Sequence, residues 1–319
     1  MGENQMGENQ MGENQMGENQ MGENQMGENQ FTEDLEIHKH AYIRSETPTL
    51  SAKKHFVFDV DETIGSFSDF YLLWRGLIHL QHQPAKHTDL TKTHFQENIE
   101  NFTKILDLYP EFLRPGIISI FKYLYHKKKQ GFCHGIHIYT NNNCKPPWVE
   151  LLETYLEHLG QTPKLFDEII TSFKLGSKRT TYAKTLSDFF RCSLLPKDIE
   201  ICFIDNSYFP KMKNSRVFYI QPKAYFHGLS VNEILTRFQK SNLGQTLKVS
   251  DSWKTYMTEW FFQHGYQPTL KTYQEKNGDI LVSKRLMYHI KDFFYLTLRK
   301  PKTRKVRGRF WFNITKRKR

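Results

Sequence analysis

KHFVFDVDETI, residues 54–64, is the stretch whose reading decides the fold. Its first seven residues form a short apolar run ending in acids, the pattern of a buried central strand. Working outward, residues 67–80 and 93–108 carry apolar residues at helical spacing, and Arg114-Pro115-Gly116 punctuates the chain before a helix over 117–125. A second strand is predicted over 134–140 and a helix over 148–159, stopped by Gly160. A helix over 182–191, a third strand over 199–205 and a fourth over 217–220 follow. Strands separated by helices predict an α/β domain, a Rossmann-like parallel sheet with helices on both faces. In such sheets ligands sit outside the carboxyl ends of the strands.

Three predicted strands end in polar clusters: Asp59-Val60-Asp61, Thr140-Asn141-Asn142 and Asp205-Asn206-Ser207. A strand-end carboxylate can attack phosphorus and form an acyl phosphate that water later hydrolyses. Acids two apart point to opposite faces of a strict strand, so Asp59 and Asp61 share a pocket only if the chain bends after Asp59. Asp59 then attacks, while Asp61 protonates the leaving oxygen and later activates water. Carboxylates packed beside a phosphate dianion require a cation, and magnesium suits an all-oxygen set. Asp205 and Asn206 are the remaining protein oxygens for it. Thr140, Asn141 and a lysine are expected to hold the other phosphate oxygens. Alone, the first cluster reads equally as an exposed acidic turn after a strand, Thr140 reads more readily as a helix cap and Asp205-Asn206 more readily as a turn; their order along the strands carries the argument.

These residues resemble the haloacid-dehalogenase superfamily, whose first motif is similar to residues 56–64. The fuller resemblance is to its branch of NLI-interacting-factor-like phosphatases, whose known members dephosphorylate the carboxy-terminal domain of RNA polymerase II. The resemblance rests on Asp59-Val60-Asp61-Glu62-Thr63-Ile64, Arg114-Pro115-Gly116, Ile138-Tyr139-Thr140, Tyr182-Ala183-Lys184-Thr185-Leu186-Ser187 and Ile204-Asp205-Asn206-Ser207, and covers residues 54–235. It implies that Asp59 is the nucleophile and that Asp61 is the general acid/base, lending its backbone carbonyl to the metal. It also implies that Thr140 and Lys184 bind phosphate and that Asn206 is a metal ligand with Asp205 beside it. Ile64 stands where the branch has Leu, and Thr185 where it has Asp; Lys174 and Lys178 lie near Lys184. The segment between Asp61 and Thr140 is longer than in compact members. Its extra part, 72–108, contains His79, His82, His87 and His94, and reads either as a cap over the site or as a helical insertion on the sheet edge. The segment that recognises the phosphopeptide has no counterpart here.

The flanks have another composition. Residues 1–30 are six copies of MGENQ, with six Glu and no Lys or Arg, too poor in apolar groups to offset the entropy of ordering. Residues 1–46 are therefore expected to form a disordered leader, 47–245 the phosphatase domain and 246–319 a basic, mainly helical appendage. From Lys284 to Arg319 fourteen Lys or Arg face one acid, Asp292, so this end alone exceeds the net charge of +11. With Phe310, Trp311 and Phe312 interleaved, it suits nucleic acid; its basic clusters equally suit nuclear import, and a solvated end of a packed appendage is the plainer reading. No apolar run approaches a bilayer span, no secretion signal opens the chain, and the scattered Cys133, Cys144, Cys192 and Cys202 read as reduced thiols. The expectation is an intracellular enzyme, nuclear or of a virus-infected cell, that removes phosphate from a protein Ser or Thr with Mg2+. The alternatives are a nucleic-acid end phosphatase and a phosphatase-derived binding protein without turnover.

Overall fold

The computed structural model describes residues 34–38, 42–48, 53–82, 95–145 and 147–298. The MGENQ copies, His87, His94 and the basic residues 299–319 lie outside the described residues. Strands β1 (Leu35–His38), β3 (Lys54–Phe58), β4 (Gly135–Tyr139), β5 (Glu168–Ile170), β6 (Glu200–Ile204) and β7 (Val217–Pro222) form one sheet of order β1-β7-β6-β3-β4-β5. All neighbours are parallel except β1, which runs antiparallel along β7. A separate pair joins β2 (Tyr42–Arg44) to β8 (Leu296–Leu298). The helices are α1 (Ser68–Gln81), α2 (Ile99–Leu106), α3 (Ile117–Lys129), α4 (Trp148–Gly160), α5 (Leu186–Ser193), α6 (Val231–Lys240), α7 (Asn242–Thr246), α8 (Asp251–Gln263) and α9 (Tyr273–Phe293).

The expected α/β architecture with a mostly parallel sheet is present. β3, β4 and β6 are buried along their whole length, as strands covered on both faces should be. Phe56 and Phe58 of β3 face the larger core with Ile136, Ile138 and most helices; Val57 faces a smaller one with Tyr139, Phe189, Ile201 and Phe203. No helix among the described residues is long and apolar enough to cross a membrane.

Several boundaries differ from expectation. Leu35–His38 and Tyr42–Arg44 fall inside the span read as leader, yet they are strands. Too short and polar to stand out alone, they gain their backbone partners from the β7 edge and from β8. The helix predicted over 93–108 begins at Ile99, where the Asn98 side chain accepts from the Asn101 amide. The one predicted over 182–191 begins at Leu186, behind a Thr185 cap. Gly160 does not stop α4: the left-handed residue is Gln161, and a Cβ on Gly160 would lie 2.8 Å from the Thr162 hydroxyl. The appendage shares its core with the preceding residues. Met257 of α8 lies against Gly76 of α1, and Phe293 of α9 packs on Phe56 and Phe218.

Candidate active site

β3 ends at Phe58, and the chain leaves the sheet in a tight turn. The Ile64 amide donates to the Val60 carbonyl at 2.9 Å, and Glu62, at φ +55°, donates its amide to the Gly65 carbonyl at 2.7 Å. Gly65 is required: a Cβ there would meet the Phe112 carbonyl oxygen at 2.5 Å. Arg114, fully buried, braces the turn by donating to the carbonyls of Thr63 (2.6 Å), Glu62 (2.6 Å) and Lys223 (2.8 Å). The Arg-Pro-Gly stretch is thus the clamp that holds the bend. As a result Asp59 and Asp61 line one cavity, of ≈ 640 Å³, with Lys184, Asp205, Asn206 and the Asn141–Asn142 loop.

Lys184 is buried between two carboxylates, donating to Asp59 and, at 2.6 Å, to Asp205. Thr185 follows it and caps α5 by accepting from the Asp188 amide at 3.0 Å. Threonine and aspartate both serve as N-caps, so Thr185 does here what an aspartate would do. Lys174 and Lys178 are exposed and take no part. The Thr63 hydroxyl donates to the Asn206 side-chain oxygen at 2.9 Å and accepts from the Asn206 amide at 3.0 Å, tying the ends of β3 and β6 together.

Two expected phosphate ligands sit differently from the rest. Thr140 is fully buried beneath the cavity wall; its hydroxyl accepts from the Asn142 amide at 3.0 Å, which turns the loop. Asn141 lines the cavity, and its side-chain oxygen is taken by Arg179. Arg179, which the sequence reading missed, is 2% exposed and also donates to the carbonyls of Thr140 (2.8 Å), Thr171 (2.9 Å), Thr181 (3.0 Å) and Tyr182 (2.7 Å). It stitches the end of β4 to the Lys184 loop. Asn142, also missed as a functional residue, donates its amide to the Asp61 carboxylate at 3.0 and 3.2 Å. Neither has a local sequence signal, since each acts only on groups brought near by the fold.

The electrostatics follow from crowding. Burial, and then the charge of Asp59, push the Asp61 carboxyl up to about 6. Burial, with Asp61 and Asp59, pushes Glu62 up to about 7. Burial also raises Asp205, with Lys184 pulling the other way. Carboxylates this close favour any cation that joins them.

The donors that a metal would meet in the cavity are all oxygens, the side chains of Asp59, Asp61, Asp205 and Asn206. Among the described residues no group of three or more His, Cys, Asp or Glu is arranged as a metal cage. The set matches the habit of magnesium, which takes one or two carboxylates and completes its shell with water and phosphate.

Of the described residues in 72–108, Leu72 lines the cavity. Phe70, Phe102 and Trp148 stack in the core, while Ser68, Asp69, Tyr71 and Leu72 of α1 wall the cavity. His79 stacks on Trp260, whose neighbour His264 reaches the cavity rim from α8. His82 is exposed.

No protein-family model matches the chain, and no curated protein sequence matches it.

Proposed function

We propose that the chain is a magnesium-dependent phosphomonoester hydrolase that works through a phosphoaspartate on Asp59, with a protein phosphoserine or phosphothreonine as substrate. One observation carries the reading: Asp59, Asp61, Lys184, Asp205 and Asn206, from three separate segments, converge on one cavity at the carboxyl ends of parallel strands. The Asp59 carboxylate attacks phosphorus, and the ester oxygen leaves with the proton of Asp61. The lone pair that forms the new O–P bond comes from Asp59, and the electrons of the broken P–O bond go to the leaving oxygen. Asp61, now ionised, takes a proton from water, which attacks the acyl phosphate and frees Asp59 and inorganic phosphate. A carboxyl at about 6 suits both duties. Lys184 holds Asp59 in line and offsets charge on the phosphoryl oxygens, with the Asn141 side-chain amide as a further donor and Thr140 shaping the loop that carries it. Bound magnesium supplies charge neutralisation that lets the phosphate dianion approach the acids.

The test is hydrolysis of an aryl phosphate with and without magnesium, wild type beside Asp59→Asn. Magnesium-dependent turnover that disappears in the variant supports the reading. Turnover that persists in Asp59→Asn sinks the nucleophile assignment, and a folded wild type inert toward aryl phosphate and a phosphoserine peptide panel sinks the hydrolase.

A further inference from the structure

Asp69 and His227 are buried, and the chemistry above uses neither. Asp69 lies in the first turn of α1, is 7% exposed, and lines the same cavity as Asp59. The Leu229 amide donates to His227 Nδ1 at 2.9 Å, so that nitrogen carries no proton and Nε2 carries the only one. Nε2 donates it to Asp69 Oδ2 at 2.9 Å. The Phe112 ring meets the imidazole edge to face at 4.6 Å and fixes its plane. A neutral imidazole orients the Asp69 carboxylate without cancelling its charge. Asp69 Oδ1 takes no hydrogen bond from any described residue. For holding α1 to the 224–229 segment an acceptor alone would suffice, so the charge is surplus to the fold.

That surplus faces a cavity already rich in acid. Among the described residues that line it, the carboxyls of Asp59, Asp61, Glu62, Asp69 and Asp205 face one side-chain ammonium, that of Lys184. Asp59 and Asp61 have work in the proposed chemistry, and Asp205 pairs with Lys184. Asp69 lines the cavity from α1, as does Tyr71, whose ring packs edge to face on Trp148 at 4.9 Å. A fixed carboxylate next to an aromatic face is a recognition pair for a guanidinium or ammonium group.

We infer that Asp69, positioned by His227, is a specificity-determining residue that selects phosphorylated protein segments carrying Arg or Lys next to the phosphorylated residue. The inference rests on the proposed function for its phosphate half. It disfavours nucleic-acid ends in this cavity, because a polyanion meets the charge of Asp69.

The test is calorimetric binding of two peptides with a non-hydrolysable phosphonate mimic of phosphoserine, flanked by Arg in one and Gln in the other, with magnesium. Wild type should bind the Arg peptide about tenfold tighter. Asp69→Asn keeps an acceptor for His227 and removes the charge, so the ratio should fall to near one with the melting temperature maintained. A merely structural role would weaken both peptides alike and leave the ratio unchanged, which overturns the inference. No preference in wild type, binding of neither peptide, or displacement of the Arg peptide by a 5′-phosphorylated oligonucleotide overturns it too. Because the readout is binding, a wild type that shows the preference but no turnover leaves the inference standing and breaks only the hydrolase reading.

Discussion

The two ends of the central strands carry buried charge in opposite ways. At the amino end, Lys54 of β3 is fully buried and paired one to one with Glu200 of β6 at 2.8 Å. Its ammonium also donates to the Leu296 carbonyl at 2.7 Å and lies 4.3 Å from the Phe293 ring centre. Nearby, His55 and His137 share a 3.0 Å hydrogen bond, made possible by Gly135, where a Cβ would lie 2.5 Å from the His55 ring. At the carboxyl end, among the described residues that line the cavity, five acids stand beside one lysine. Buried charge that is matched contributes to structure, because every group is satisfied. Buried charge left in excess costs stability, and it persists where a ligand or a reaction supplies the missing partner.

Substitutions at the two ends should therefore separate activity from stability. The largest effect is expected from Asp59→Asn: aryl phosphate hydrolysis should fall on the order of 10⁴-fold or more, as when a nucleophile is removed. Its melting temperature should not fall, since one of the crowded acids is gone. Next, Glu200→Gln should do the reverse. It strands the Lys54 ammonium in the core and should cost about 3–5 kcal/mol by denaturant titration, with activity per folded molecule maintained. If Glu200→Gln melts like wild type, the amino-end pair is not the strut described.

The titrations extend the contrast. Burial pushes His55 down to about 3 and His137 to about 4, each below the ordinary histidine value. Both are neutral in the fold and take up protons when the chain unfolds below pH ~6.5. Stability is thus fully present above that pH and is lost as pH falls through the folded values of about 4 and 3, by on the order of 4 kcal/mol at pH 5 for the two together. Urea midpoints at pH 7 and pH 5 check it, and His55→Gln should shrink the difference. At the other end Asp61 must enter the reaction protonated. With its carboxyl at about 6, kcat/KM for an alkyl phosphate should drop about tenfold per pH unit above that value. An aryl phosphate, whose leaving group needs no proton, should drop far less. The smallest effect belongs to Thr185→Asp, which exchanges one helix cap for another and should change stability by less than about 0.5 kcal/mol, read from the melting curve.

Residues 54–64 foretold the first strand because a run of buried apolar groups leaves a local pattern, and the same holds for β4 and β6. The strand-end acids were legible for the same reason, since their place follows from where the apolar run stops. β1 was not legible: four residues of mixed polarity become a strand only because β7 offers an unpaired edge. The start of α5 was blurred by Tyr182, whose apolar ring extends the helical spacing. In the structure Tyr182 is exposed, and its carbonyl accepts from Arg179 in the preceding loop.

The sequence by itself determined the α/β plan and the order of the strand-end clusters, because those depend on local periodicity and on residue type. Only the tertiary structure decided that Asp59 and Asp61 share a cavity, through the turn clamped by Arg114. It alone brought Arg179 onto Asn141, Asn142 onto Asp61 and His227 onto Asp69. These contacts join residues 38, 81 and 158 positions apart. A hydrogen bond across such a distance imposes no spacing on the chain. It acquires meaning only when packing sets both partners within 3 Å of each other and away from water.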